Sequence, residues 1–144
     1  MIRTRRIAFI ALLLAATAGL AQVMPNAPVV NFRFPMFNSE GYKTWELRGA
    51  EGRYINENRV ELTNVNLRIY SGDETGALQT EISSPKAIIE IDTRIVRGPE
   101  SVHVVGPGYE MFGEDWRYDD ADKTIVVQRN VVVTFDDSVG NILK

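Results

Sequence analysis

The chain of 144 residues contains no cysteine and only one histidine, His103. Without cysteine it can form neither a disulfide framework nor a thiolate site for catalysis or zinc. A single histidine excludes a metal site built from two or three histidines of one chain. Apolar residues make up 44% of the sequence and charged residues 24%, which is typical of a folded domain. The length fits one domain, and this domain has few of the side chains that enzymes commonly use for catalysis.

Residues 1–21 have the pattern of an export signal. Three arginines within the first six residues precede an apolar run at 7–14, and small residues follow up to Ala21, after which we place the cleavage. Two of the arginines are adjacent, as in twin-arginine signals, but general secretion is favoured. The alternative is an uncleaved inner-membrane anchor, because residues 7–24 carry no charge and are just long enough to span a bilayer. Either interpretation places the rest of the chain in the periplasm.

The charge of the exported part argues against a nucleic-acid partner. The full chain has 16 basic and 19 acidic residues. Residues 1–21 hold three of the basic residues and none of the acidic ones, so removing them leaves a net charge of −6. Nucleic-acid binding needs basic surface, and the exported part has no run of basic residues.

The exported part is predicted to be almost entirely β-strand. From residue 22 onward there are 24 valines and isoleucines, but only five leucines and five alanines. β-Branched residues favour strands, and apolar residues alternate with a period of two, as in the run Val65-Asn66-Leu67-Arg68-Ile69. Residues 22–38 carry three prolines and are expected to form a linker or first edge strand. Residues 139–144 are expected to form a polar tail.

An internal repeat favours a stack of hairpins. Residues 50–67, 85–104 and 116–133 each run along a short strand to a polar turn and return along a second strand. One hairpin cannot bury its apolar face alone, so copies must stack and share a core. Asn64, Gly98-Pro99 and Asn130 interrupt their strands and predict bulges or bends. The predicted fold is a single all-β jellyroll, or flattened β-taco, of stacked antiparallel hairpins over residues 39–138.

Five short elements carry a resemblance to a known family. They are Trp45-Glu46-Leu47-x-Gly49-Ala50, Asn64-Val65-x-Leu67, Ser84-Pro85-x-Ala87, Val102-x-Val104-x-Gly106 and Asn130-Val131-x-Val133. In order and spacing, over about residues 40–136, the sequence resembles the OstA-like β-jellyroll family of lipopolysaccharide transport. It is most similar to the LptC-type periplasmic members that associate with the inner membrane. A soluble bridge-type member, or a relative with another cargo, is the alternative.

This resemblance implies a lipid carrier that is not an enzyme and needs no cofactor or metal. An apolar groove would hold the acyl chains of lipopolysaccharide, delivered by the ATP-driven (ABC) export complex of the inner membrane. The carrier would then pass the lipid toward the outer membrane, to another jellyroll protein joined edge to edge by strand addition. Period-two alternation predicts that these residues face inward and line the groove: Leu62, Val65, Leu67, Ile69, Ile89, Ile91, Val102, Val104, Met111, Ile125, Val127, Val131, Val133 and Phe135. The expected partner edges contain Val29, Val30, Phe32 and Phe34 at one end and Val131, Val133 and Phe135 at the other.

The residues alone leave other interpretations open. A sealed β-sandwich core needs the same alternation as an open groove. A secreted carbohydrate-binding or envelope-structural β-module could use aromatic rings to stack on sugars, although such rings more often pack in the core. The candidate rings are Trp45, Trp116, Tyr54, Tyr109 and Tyr118.

Two acidic patterns and the histidine do not predict a metal site or a catalytic site. Asp119, Asp120 and Asp122 lack the glycine and distal glutamate of a calcium loop and are expected to form a solvated turn. The sequence does not favour a hydrolase, because Glu114 and Asp115 are adjacent on a strand and should point to opposite faces. His103 is expected to point outward between two inward-facing valines.

Overall fold

The fold is described by a computed structural model that covers residues 27–136. The predicted export signal at 1–21, the alternative anchor at 7–24 and the tail at 139–144 lie outside the described residues. The described part consists of strands and the turns between them. No helix in this part is long and apolar enough to cross a membrane.

Seven strands follow one another along the chain and pair in the same order. They are β1 (Val29–Phe37), β2 (Lys43–Tyr54), β3 (Arg59–Tyr70), β4 (Leu78–Glu90), β5 (Ile95–Gly106), β6 (Tyr109–Asp119) and β7 (Thr124–Phe135). Each strand pairs antiparallel with the next, and the sheet is not closed, so β1 and β7 are its two edges. The predicted all-β architecture is confirmed, and residues 29–37 form the first edge strand.

Polar side chains stabilise the turns that separate the strands. Asn58, in the β2–β3 turn, accepts a hydrogen bond at 2.7 Å from the backbone N–H of Asp92 in the β4–β5 turn. In the β3–β4 loop, Asp73 accepts hydrogen bonds from the backbone N–H of Thr75 and from the hydroxyl of Ser71. Short Asn, Asp and Ser side chains satisfy backbone groups that the sheet leaves unpaired, which is why these segments end the strands.

Four of the seven strands contain a left-handed residue at about the same level, and these points lie close to one line across the sheet. Asn31, Asn64, Asp115 and Asn130 have left-handed backbone conformations inside their strands, with φ between 49° and 58°. The register pairs that flank these positions place them on a common transverse line. We call this line the crease; it runs through Asn31, Ala50, Asn64, Pro85, residues 99–100, Asp115 and residues 128–130.

The crease is most open between β4 and β5. Their register is interrupted between the pairs Ser83–His103 and Ile88–Arg97. The Ser84 hydroxyl lies in this interval, where it donates to the Ser101 carbonyl at 2.8 Å and accepts from Trp116 Nε1 at 3.1 Å. Pro85 cannot supply a ladder N–H, so a side-chain bond replaces backbone pairing.

Glycine is required next to this opening. A Cβ on Gly98 would lie 2.5 Å from Trp116 Nε1 and 2.6 Å from the Lys86 carbonyl oxygen. The bulges or bends predicted at Asn64, Gly98-Pro99 and Asn130 are confirmed: Asn64 and Asn130 are left-handed, and the register shifts between Gly98 and Ser101.

The crease divides the sheet into two walls. The first wall holds residues 32–37, 43–49, 65–70, 78–84, 101–106, 109–114 and 131–135. The second wall holds residues 29–30, 51–54, 59–63, 86–90, 95–98, 116–119 and 124–127.

The two walls face each other across a trough. Trp45 lies in the first wall on β2, and Tyr118 lies in the second wall on β6, four strands further along the sheet. In a flat sheet these positions would be at least about 19 Å apart, at about 4.8 Å per strand. Their ring centroids are only 6.5 Å apart, with the rings edge to face. The sheet is therefore folded over along the crease.

The buried core lies between the walls from β1 to β6. Trp45, Leu47, Leu62 and Leu67 are fully buried, and Phe32 on the edge strand β1 is 5% exposed. On β7, by contrast, Phe135 is 62% exposed. The trough is therefore filled by side chains over most of its length and is uncovered at the β7 end.

Candidate functional site

The fourteen residues predicted to line a groove fall into three groups by exposure. Those at most 3% exposed are Leu62, Val65, Leu67, Ile89, Val102 and Val104. Those partly buried and packed against this core are Ile69, Ile91, Met111, Ile125 and Val127. Those at least 40% exposed are Val131, Val133 and Phe135.

The exposed group lies on the inner face of the last strand. Val133 pairs with Met111, and Phe135 pairs with Tyr109. Directly paired residues share one face of a sheet. Both partners on β6 pack against the core, so Val133 and Phe135 also point into the trough. They are exposed because, among residues 27–136, no strand pairs with the outer edge of β7 to cover them.

A cavity of about 800 Å³ opens beside these residues, between the two walls. Its apolar surface combines five of the predicted groove residues with two tyrosines: Ile69, Met111, Ile125, Val133, Phe135, Tyr109 and Tyr118. Its polar surface comes from the ends of β2, β3 and β4 and from the β6–β7 turn: Thr44, Tyr70, Ser71, Gln79, Thr80, Lys123 and Thr124. The cavity is therefore amphipathic, as a site for an amphiphile must be.

A buried carboxylate holds the β6–β7 turn at this cavity. The Asp120 side chain is only 6% exposed. It accepts hydrogen bonds from Lys123 Nζ at 2.5 Å and from the Tyr118 hydroxyl at 3.1 Å. Arg94 lies 3.7 Å from its second oxygen. The predicted solvated turn is wrong for this residue: sequence reasoning missed the cluster because three nearby aspartates are typical of exposed turns.

The protonation states of this cluster follow from its surroundings. Burial alone would raise the pKa of Asp120, but the hydrogen bonds from Lys123 and Tyr118 and the Lys123 charge outweigh it and hold this pKa below its ordinary value. Burial and the Asp120 charge raise the pKa of the Tyr118 phenol. At neutral pH, Tyr118 therefore donates to an ionised Asp120 while its ring contacts Trp45 across the trough.

The two edge strands differ. β1 contains Pro35, which has no N–H, and the left-handed Asn31. Two of its expected edge residues point inward: Phe32 is buried in the core, and Phe34 is partly buried, with its ring 5.8 Å from the Trp45 ring. Val29 and Val30 are 43% and 66% exposed. β7 contains no proline, and its residues 128–135 are all exposed.

The remaining candidate sites do not form an exposed chemical centre. Trp45, Trp116 and Tyr118 are at most 1% exposed, so they cannot provide a sugar-stacking surface. His103 lies on the outer face as predicted, stacked on Phe112 with ring centroids 4.4 Å apart. In the part of the chain that the structure describes, no group of three His, Asp or Glu residues could hold a metal ion.

Comparison with known protein families gives one match. A family model described as "Lipopolysaccharide-assembly, LptC-related" matches residues 16–136 of this chain. The match includes all seven strands and both walls of the trough. No curated protein matches the chain.

The Asp120 cluster makes stability depend on pH. Because the folded chain lowers this carboxyl's pKa, its stabilisation is complete above the ordinary pKa and is lost as the pH falls through the lower, folded-state value. We expect Asp120→Asn to lower the free energy of unfolding by about 1–3 kcal/mol at pH 7. The loss should shrink as the pH falls from about 5 to about 2. Urea unfolding over this range measures it.

Asp122→Asn is the matched control, because Asp122 is exposed in the same turn. It should leave both the stability at pH 7 and its pH dependence close to those of the wild type. If Asp120→Asn retained the full wild-type loss of stability on acidification, the assigned role of Asp120 would be wrong.

Proposed function

Because the chain belongs to the LptC-related family of lipopolysaccharide-assembly proteins, we propose that it binds lipopolysaccharide in the β7 end of its trough. Membership itself assigns the protein to lipopolysaccharide transport and assembly in the cell envelope. The proposal adds that the acyl chains enter between the walls and that the lipid is handed on toward the outer membrane. The export signal or anchor predicted at the N-terminus supports a periplasmic location for this step.

The observation that carries the proposal is the amphipathic cavity. Ile69 and Met111 from the first wall and Ile125 from the second supply apolar surface to one space. Burying each acyl methylene contributes about 0.8 kcal/mol, so a few methylenes give useful affinity without any charged contact. The hydroxyl and amide groups of the rim lie where the polar end of the lipid would emerge.

The buried predicted residues extend this site inward. Leu67 and Val104 are fully buried, and the Trp45–Tyr118 contact closes the space between the walls beside them. We propose that acyl chains reach this deeper surface when these two rings separate. Acyl chains would then take the place of the apolar side chains of the opposite wall. The walls could therefore separate without exposing the core to water.

The lipid proposal predicts a face-specific effect on β7. Val133→Gln places an amide on the apolar floor of the cavity, where acyl chains cannot satisfy its hydrogen bonds. The cost of about 1–3 kcal/mol should weaken lipopolysaccharide binding by about 5- to 150-fold. Titration of purified variants with fluorescently labelled lipopolysaccharide measures the affinity.

Val132→Gln is the matched control on the opposite face of the same strand. Val132 is 59% exposed, pairs with the outward-facing Phe112 and does not line the cavity. Its substitution should leave the affinity unchanged. Equal affinities for the two variants would contradict lipid binding in the trough.

We further propose that β7 is the edge that receives the next jellyroll protein by strand addition, and that β1 faces the inner-membrane export complex. The Asp136 N–H donates to the Gly108 carbonyl on the β6 side. Successive N–H groups of a strand point to alternate sides, so the N–H of Val133 points to the open edge and that of Val132 points to β6. Strand addition at β7 would also cover the exposed Val133 and Phe135.

Proline substitution tests this edge. Val133→Pro removes an N–H from the open edge and should abolish co-elution with the soluble jellyroll protein of the same transport system, while the fold is retained. Val133→Ala, which removes the side chain but keeps the N–H, should retain co-elution. Val132→Pro removes a bond to β6 and should destabilise the protein. Co-elution that survives Val133→Pro would exclude pairing along this edge.

A further inference from the structure

We propose that the rim of the cavity at Lys123 binds a phosphate group of a phosphorylated glycolipid headgroup. This inference rests on the proposed function, because it assigns a site to the polar end of the lipid whose chains occupy the cavity. The apolar residues of the cavity can bind acyl chains of any lipid, whereas the proposed phosphate contact would distinguish lipids by their headgroups.

The first observation is the charge of the cavity lining. The chain carries 19 acidic and 16 basic residues. Among the described residues that line the cavity, Lys123 is the only charged one and no carboxylate is present. An anion at this rim would therefore meet one cation and no lining carboxylate, although the protein as a whole is acidic.

The second observation is the unused capacity of the Lys123 ammonium group. An ammonium has three N–H donors, and the described residues satisfy one of them, at Asp120 Oδ1. The Lys123 side chain is 58% exposed. Asp120 also contacts the Tyr118 hydroxyl and Arg94, so it stays partnered when Lys123 shares its charge with a phosphate.

The third observation is the opposite rim. Thr44 and Tyr70, which both carry hydroxyl groups, line the same cavity from the first wall. Lys43 Nζ lies 5.5 Å from the centre of the Tyr70 ring, but it is also 3.5 Å from the Glu46 carboxylate, so its charge is already paired. A neutral hydroxyl-bearing rim opposite one ammonium group fits a sugar that bears phosphate.

The inference is tested with two lipids that differ only in phosphate. The probes are diphosphorylated lipid A and its enzymatically dephosphorylated form, titrated separately into the purified protein. Lys123→Gln should weaken binding of the phosphorylated lipid about tenfold, the loss of one charge-assisted contact. It should leave binding of the dephosphorylated lipid unchanged. Lys123→Arg should retain wild-type affinity for both.

Lys86→Gln is the matched control. Lys86 is 57% exposed, lies 4.0 Å from Glu100 and does not line the cavity. This variant should bind both lipids as the wild type does. Inorganic phosphate, titrated alone, should bind the wild type far more weakly than phosphorylated lipid A does.

Each contrary outcome has a distinct meaning. An unchanged affinity of Lys123→Gln for the phosphorylated lipid, or an equal loss for both lipids, would overturn the phosphate site while leaving lipid binding in place. Inorganic phosphate that binds as tightly as phosphorylated lipid A would make this a free-phosphate site and overturn the headgroup assignment. Failure of the wild type to bind either lipid would overturn the proposed function itself.

Discussion

The crease is the constraint on which the rest of the structure depends. A seven-stranded antiparallel sheet with one apolar face must cover that face, and the described residues include no helix or second sheet to do so. Because Asn31, Asn64, Asp115 and Asn130 adopt left-handed conformations on one transverse line, the strands bend together. The sheet then covers itself, and each wall provides the other with its apolar partner.

When one open sheet folds over itself, inward-facing residues at its ends are less buried than those in its middle. An inward-facing residue in the middle has strands on both sides and a wall opposite, whereas the same kind of residue on β7 lacks one neighbour. Leu67 is fully buried for this reason, and Val133 is 40% exposed. The amphipathic cavity follows from the end of the sheet, and the Asp120 cluster holds the last turn in place beside it. The proposed transport function uses this uncovered end both for lipid and for the next protein.

Much of this could be predicted from residue patterns. Period-two alternation and β-branched composition predicted an all-β fold, and the interruptions at Asn64 and Asn130 predicted bends that the structure confirms. The bends at Asn31 and Asp115 were not predicted. Asn31 lies in a proline-rich segment that also fitted a linker, and Asp115 follows Glu114 in what reads as an ordinary acidic pair.

The candidate site was less predictable, because alternation identifies a face but not what covers it. Leu67 and Val133 belong to the same sequence pattern and differ only in the number of strands around them. The polar rim brings together Thr44, Tyr70 and Thr124 from three distant segments, and no short motif links them. Burial of Asp120 likewise depends on Tyr118, Lys123 and the opposite wall.

The central claim is that lipopolysaccharide lies between the two walls, and in-cell photo-crosslinking tests it most directly. A photo-reactive amino acid would replace Met111, which lines the cavity, or its neighbour Phe112, which is 47% exposed on the outer face. The account predicts lipopolysaccharide adducts at position 111 and none at position 112 in a Gram-negative cell that exports the protein. Adducts at 112 alone, or at neither position in folded and exported protein, would contradict it.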